Sequence, residues 1–181
     1  MLSDVRRKKL THLFHLRDTD NDGFLEKSDY EGTAKRLAAL FKWVEGSDSY
    51  NLMLGAQVFE WEEMQKFADA NHDDKVTLDE FLNAYEAMPS LEPIYDNVDQ
   101  MLHFVFGWFD SDYDGDVQPD EYAKLLSVFN VEEARALAAF ELLDANHDGK
   151  LSEDELRARM RAFFISDDAA SAGNHFWGKL E

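Results

Sequence analysis

The chain has 181 residues and a mass of 20.9 kDa, enough for one compact unit or two closely packed halves and too little for a large multidomain enzyme. Its 18 Lys and Arg against 38 Asp and Glu give a formal charge of −20, which repels a phosphate backbone and excludes nucleic acid as a main partner. A hydrophobic content of 45%, with 14 Phe and 4 Trp, excludes a disordered acidic tail, and the lack of Cys excludes disulfides, thiolate ligands and Cys nucleophiles while fitting a reducing, cytoplasmic setting.

The first predicted helix carries Leu10, Leu13 and Phe14 at helical spacing, and its basic run Arg6, Arg7, Lys8 and Lys9 reads as a solvated face. No apolar run of signal-peptide length follows, residue 2 is Leu rather than a myristoylation Gly, and no segment approaches the roughly 18 apolar residues of a membrane span. A soluble cytoplasmic monomer that does not enter the membrane is expected. The acidic stretch 18–29 (DTDNDGFLEKSD) comes next, followed by a helix whose core face starts at Tyr30. A break at 46–50 precedes a helix with apolar residues Val58, Trp61, Met64 and Phe67. The stretch 69–80 (DANHDDKVTLDE) then leads into a helix starting its core face at Phe81, and Pro89 and Pro93 bracket a connector that cannot stay helical.

The second half repeats the plan. A helix with Val98, Met101, Leu102 and Val105 enters 110–121 (DSDYDGDVQPDE), which leads to Tyr122. Asn130 suits the N-cap of a helix beginning at Val131, with Glu132 and Glu133 in its first turn and Leu137, Phe140 and Leu143 on its apolar face. The last stretch, 144–155 (DANHDGKLSEDE), leads to Leu156. Eight helices are predicted and no long strand, although Leu25, Val76, Val117 and Leu151, each eighth in its stretch, suit short two-stranded pairings. Stretches one and three share D-x-D-x-D-G while two and four share Asp-Ala-Asn-His-Asp, the alternation that duplication of a paired unit leaves.

Each 12-residue stretch has the chemistry of a loop that wraps a hard divalent cation. Calcium takes six to eight oxygens, and a chain supplies them from side chains at positions 1, 3 and 5, the carbonyl of 7, position 9 directly or through water, and an acid at 12, with a sharp turn at 6. The first loop offers Asp18, Asp20, Asp22, Phe24, Glu26 and Asp29 around Gly23, and the second offers Asp69, Asn71, Asp73, Lys75, Thr77 and Glu80 around Asp74. The third offers Asp110, Asp112, Asp114, Asp116, Gln118 and Glu121 around Gly115, and the fourth Asp144, Asn146, Asp148, Lys150, Ser152 and Glu155 around Gly149. Asp, Asn and Gly also make ordinary turns, but four repeats of the full spacing go far beyond turn propensity. His72 and His147 stand at position 4, which points away from the ion, so zinc is not indicated.

On these loops the chain resembles an EF-hand protein, and the resemblance implies an all-α fold of four helix-loop-helix units in two paired, compact halves. The expected divisions are 1–88 with loops 18–29 and 69–80, 94–165 with loops 110–121 and 144–155, and a tail 166–181 packed on the body. The first two loops start 51 residues apart and the last two 34 apart, and the tail carries Phe164-Ile165-Ser166-Asp167-Asp168, Gly173-Asn174 and Phe176-Trp177-Gly178. Both features look like the sarcoplasmic calcium-binding proteins and calerythrin. That resemblance implies a protein that is not an enzyme, and no nucleophile motif or phosphate-cradling loop speaks against it.

A calcium buffer, taking three or four calcium ions with magnesium competing especially at loop 18–29, is the expected function. The rivals are a sensor that exposes a groove to a protein target, and a luciferin-binding protein or photoprotein whose cavity Trp43, Trp61, Trp108, Trp177, His12, His15, His103 and His175 would line. Two departures from the family pattern stand out. Asp74 replaces the position-6 glycine, making loop two the expected weakest site, and members of the resembled group often carry a defunct second site. Arg17 precedes the first loop where an apolar residue is usual, leaving Leu13 and Phe14 to carry the packing.

Overall fold

A computed structural model describes residues 1–88, 102 and 106–180. Helix α1 spans Asp4–Arg17, β1 Phe24–Leu25, α2 Lys27–Leu40, α3 Asp48–Ala68, β2 Val76–Thr77 and α4 Leu78–Ala87. After a helical turn at 106–109 follow β3 Asp116–Val117, α5 Pro119–Ser127, α6 Glu133–Leu143, β4 Leu151–Ser152, α7 Glu153–Ile165 and a 3₁₀ turn, Ala172–His175. The expected helical fold stands, and among the described residues β structure is confined to the two-residue strands. Val98, Met101 and Val105, expected on the fifth helix, lie outside the described residues.

The strands pair antiparallel, β1 with β2 (Phe24 opposite Thr77, Leu25 opposite Val76) and β3 with β4 (Asp116 opposite Ser152, Val117 opposite Leu151). All four eighth-position residues, Leu25, Val76, Val117 and Leu151, have no solvent exposure. Burying them from both sides of each ladder joins the loops in pairs and fixes their register.

Among the described residues the contacts form two units. The first gathers Met1, 11–88 and 128–130, and the second the described residues of 2–10, 102–127 and 131–180. In the first, Phe14 packs edge-on to Phe81 at 5.7 Å, and Tyr30 lies against Trp61 at 5.7 Å. Arg17 takes the position where an apolar residue was expected and is held as a cation. Its guanidinium lies over the Tyr30 and Phe129 rings at 5.6 and 5.5 Å and pairs with Glu60 at 2.6 Å. Burial opposes this charge, but the Glu60 carboxylate outweighs it and raises the guanidinium above its ordinary value. Leu13 and Phe14 are buried as expected.

The core face of α3 differs from the expected one. Tyr50, Met53, Gln57, Trp61 and Ala68 point inward, while Phe67 is 39% exposed with its ring edge-on to Tyr85 at 5.2 Å. A polar residue, Gln57, lies on the true apolar stripe, so counting only apolar side chains selects a neighbouring face. The break before α3 also falls earlier than expected, since Ser47 accepts the Tyr50 N–H as N-cap and 48–50 are already helical.

In the second unit Phe109 stacks on Tyr122 at 5.6 Å and meets Phe176 edge-on at 6.3 Å. Helix α6 starts two residues later than expected, with Glu132 as N-cap. Asn130 instead adopts φ 58°, a left-handed conformation that Asn tolerates well, and the Val131 N–H closes onto the Leu126 carbonyl beyond α5. The tail is ordered against this unit. Phe176 has no exposure, Trp177 has 4%, and the Phe176 carbonyl accepts the Tyr122 hydroxyl at 2.7 Å. Gly173 lies so close to α7 that an added Cβ would stand 2.5 Å from Ala162 Cβ and 2.7 Å from the Arg159 carbonyl.

Lys9 belongs to the same unit and has no solvent exposure, although the basic run was expected to be a solvated face. Its ammonium donates to the carbonyls of Ala162 (3.1 Å) and Ser166 (2.7 Å) at the C-terminal end of α7, where Ala162 also accepts the Ser166 N–H, and lies 5.8 Å from the Phe163 ring centre. Burial, aided by the Arg6 charge, pushes its pKa down to about 8.

Candidate metal centres

All four loops share one internal design. The position-1 carboxylate is buried in each, at Asp18, Asp69, Asp110 and Asp144, and accepts amides from the loop it opens. Asp18 Oδ1 and Oδ2 accept the Asp22 and Gly23 N–H (3.1 and 3.0 Å), Asp69 those of Asp73 and Asp74 (3.2 and 3.1 Å), and Asp110 those of Asp114 and Gly115 (3.1 and 3.0 Å). Asp144 accepts from His147 and Gly149 (2.7 and 2.9 Å). Position 3 accepts from position 5, and position 5 from position 7, in every loop. These bonds curl each loop, and in the first and third they bring the carboxylates of positions 1, 3 and 5 together.

The sharp turn needs left-handed backbone twice. Position 6 has φ of 91°, 95° and 84° at Gly23, Gly115 and Gly149, and Asp74 is held at 64°, where its carboxylate accepts Gln65 Nε2 at 2.6 Å. Position 4 is also left-handed, with φ of 60° at Asn21, His72 and His147 and 63° at Tyr113. Asn and His enter this region more readily than most residues, a backbone reason for the two histidines that needs no ligand role.

Position 12 closes each loop from the following helix. Asp29 Oδ1 accepts the Thr19 N–H (2.8 Å) and hydroxyl (2.9 Å), and Oδ2 the Glu26 N–H (2.9 Å). Glu121 does the same with Ser111 N–H (2.8 Å), Ser111 hydroxyl (2.7 Å) and Gln118 N–H (3.1 Å). Glu155 accepts the Ala145 and Ser152 amides (3.3 and 3.0 Å), and Glu80 the Thr77 amide (2.9 Å). The position-2 hydroxyls of Thr19 and Ser111, with Ala at the same place in loops two and four, are supporting groups that the ligand pattern passes over. The alternation Thr, Ala, Ser, Ala was their signal in the sequence.

Carboxylate oxygens of Asp18, Asp20 and Asp22 lie within 4.8 Å of one another, as do those of Asp110, Asp112 and Asp114. Loops two and four carry Asn71 and Asn146 at position 3, whose side-chain oxygens are neutral donors. Burial, reinforced by the Asp29 and Asp22 charges, raises the Asp18 carboxyl, with the Gly23 amide opposing. Partial desolvation with the Asp114, Glu121 and Asp110 charges raises Asp112, against the Asp114 amide. An all-oxygen donor set in which carboxylates crowd one another fits a hard divalent cation and fits poorly a soft one.

Two contacts run between paired loops at position 7. Lys75 of loop two pairs with Glu26, the ninth residue of loop one, and Lys150 of loop four pairs with Asp116, the seventh of loop three. Both pairings raise the lysine ammonium above its ordinary pKa.

The EF hand family pattern matches residues 137–160, the fourth loop and its flanking helices. Calerythrin of Saccharopolyspora erythraea is 27% identical over 90% of this chain and 94% of its own length. The sarcoplasmic calcium-binding proteins I, III and IV of Branchiostoma lanceolatum are 25% identical over 98% of both chains. A solved structure of a Streptomyces coelicolor calcium-binding protein, described as a basis for prokaryotic calcium-mediated regulation, superposes with a TM-score of 0.65 at 27% identity over 88% of this chain and 97% of that one. Among the described residues no helix is long and apolar enough to cross a membrane.

Proposed function

We propose that this calcium-binding chain, an EF-hand protein homologous to calerythrin and the sarcoplasmic calcium-binding proteins, acts as a calcium buffer rather than as a calcium sensor. The ions are held by the oxygens at positions 1, 3, 5, 7 and 12 of loops 18–29, 69–80, 110–121 and 144–155, with position 9 serving directly or through water. Three or four calcium ions bind per chain. Loop two is the weakest because Asp74 holds a left-handed backbone that glycine adopts at lower cost. Magnesium competes best at loop one, where Asp29 has one methylene fewer than Glu121 and favours six-fold coordination.

Bound calcium supplies positive charge to the converging carboxylates and couples the two helix ends of each loop. The chain's own residues then decide whether that coupling exposes apolar surface. The observation that carries the buffer reading is the tail. Phe176 and Trp177 fill the apolar interior of the second unit, and Tyr122 ties the backbone there, so the surface that a sensor offers to a target is occupied from within. The chain works as a monomer in the cytoplasm, a setting that its lack of Cys supports.

A dye that fluoresces on apolar surface tests this reading. A buffer brightens it more without calcium, when the loops are loose, than with calcium. The sensor reading, favoured by the regulatory role ascribed to the Streptomyces protein, requires strong calcium-induced brightening.

A further inference from the structure

The paired strands bring a cation from one loop onto an acid of the other, and the two pairs differ in a way that bears on metal binding. Extending the β1·β2 register by one residue sets Lys75 directly opposite Glu26. Lys75 lies over the Phe24 ring, its ammonium 4.7 Å from the centroid, and binds the Glu26 carboxylate, while the Glu26 N–H is fixed on Asp29. In the second pair the register sets Lys150 opposite Gln118, which is neutral. Gln118 Nε2 donates to Asp114 Oδ2 at 2.8 Å, and Lys150 reaches diagonally to Asp116, whose side chain is not a ligand position.

We propose that Lys75 is a specificity-determining residue of the first loop: a counter-ion supplied by the second loop that holds Glu26 out of the ion's shell and lowers calcium affinity there. The inference rests on the reading of loop 18–29 as a calcium site. Lys75 takes Oε1 of Glu26 and the Ser28 hydroxyl lies 3.5 Å from Oε2, so direct ligation of the ion competes with both partners of this carboxylate. The shell of loop one is then completed without this carboxylate, from Asp18, Asp20, Asp22, the Phe24 carbonyl, Asp29 and water. Lys75 also offers its carbonyl as the seventh position of loop two. The second pair has no such device, because its position 9 carries no charge for Lys150 to take.

The test is a calcium titration of the full chain followed by amide NMR. The Gly23 N–H, bonded to Asp18, reports loop one, and the Gly115 N–H, bonded to Asp110, reports loop three. Lys75→Met keeps an apolar stem on Phe24 and removes the charge. It is expected to tighten calcium at Gly23 about two- to fivefold, within the upper part of what exposed ion pairs give, and to lower the melting temperature of the metal-free protein. Lys150→Met, which removes an equivalent charge, should change the Gly115 response by less than about twofold. In a Glu26→Gln background Lys75→Met should lose most of its effect on both readouts. Lys75→Gln repeats the measurement with a polar stem. Equal calcium response at Gly23 in wild type and Lys75→Met overturns the role of Lys75, as does an undiminished gain in the Glu26→Gln background. A Gly23 signal that never responds to calcium overturns the site reading itself.

Discussion

Replacing Phe176 by Ala removes a ring with no solvent exposure from the centre of the second unit. The ring meets Phe109 edge-on at 6.3 Å and Trp177 at 5.2 Å. A buried Phe→Ala change costs about 3–5 kcal/mol, against a total stability of about 5–15 kcal/mol for a domain. At roughly 4 °C or more per kcal/mol, the transition of this unit should fall by about 12 °C or more. Two further variants separate causes. Tyr122→Phe removes only the hydroxyl that donates to the Phe176 carbonyl and should cost about 1 kcal/mol. Gly173→Ala forces a methyl against Ala162 and the Arg159 carbonyl and should cost about 1–3 kcal/mol. Near-ultraviolet circular dichroism on heating, with and without calcium, follows the aromatic packing. Calcium should raise every midpoint by mass action without erasing the order of the variants. A Phe176→Ala midpoint equal to that of wild type would show the tail to be dispensable and refute the packing argument.

Glu121→Gln should lower the calorimetric calcium stoichiometry by one, because one oxygen of the arm that closes loop three is replaced by an amide; unchanged stoichiometry and affinity would contradict the assignment. Asp74→Gly should tighten loop two by about threefold, since relief of left-handed backbone worth about 1 kcal/mol is partly offset by losing the Gln65 contact. No gain in affinity would remove backbone strain as a ground for ranking loop two the weakest. Lys9 gives a pH dependence of defined sign. The folded chain releases its proton near pH 8 and the unfolded chain only near the ordinary 10.5, so between them the unfolded state binds more protons and stability rises with pH. Urea unfolding at pH 7.5 and 9.5 should show this rise in wild type and a smaller one in Lys9→Met.

The loops were the legible part of the sequence, because their chemistry is local. Alternate oxygens, a left-handed sixth residue and a buried eighth residue all fall within 12 positions, so Leu25, Val76, Val117 and Leu151 could be matched to the pairing they make. Phe176 and Trp177 were also readable, since two adjacent large aromatics in an otherwise small-residue tail need a core to enter. What escaped was set by distant partners. Arg17 reads as a misplaced cation until Glu60 and the rings of Tyr30 and Phe129 are brought to it. Lys9 reads as one of a solvated run until the end of α7 supplies its acceptors. The buried face of α3 escapes an apolar count because Gln57, a polar residue, belongs to the core. The cross-loop role of Lys75 lies in the register of two strands that are too short for propensity to specify.

Whether this chain holds calcium in its loops is read by calorimetric titration of the metal-free chain with calcium, repeated in millimolar magnesium. At least three of the four loops should saturate in both conditions, with magnesium weakening calcium at one site, which the Gly23 amide signal in a parallel NMR titration assigns to loop one. Uptake of two ions or fewer would contradict this reading, whatever the fold.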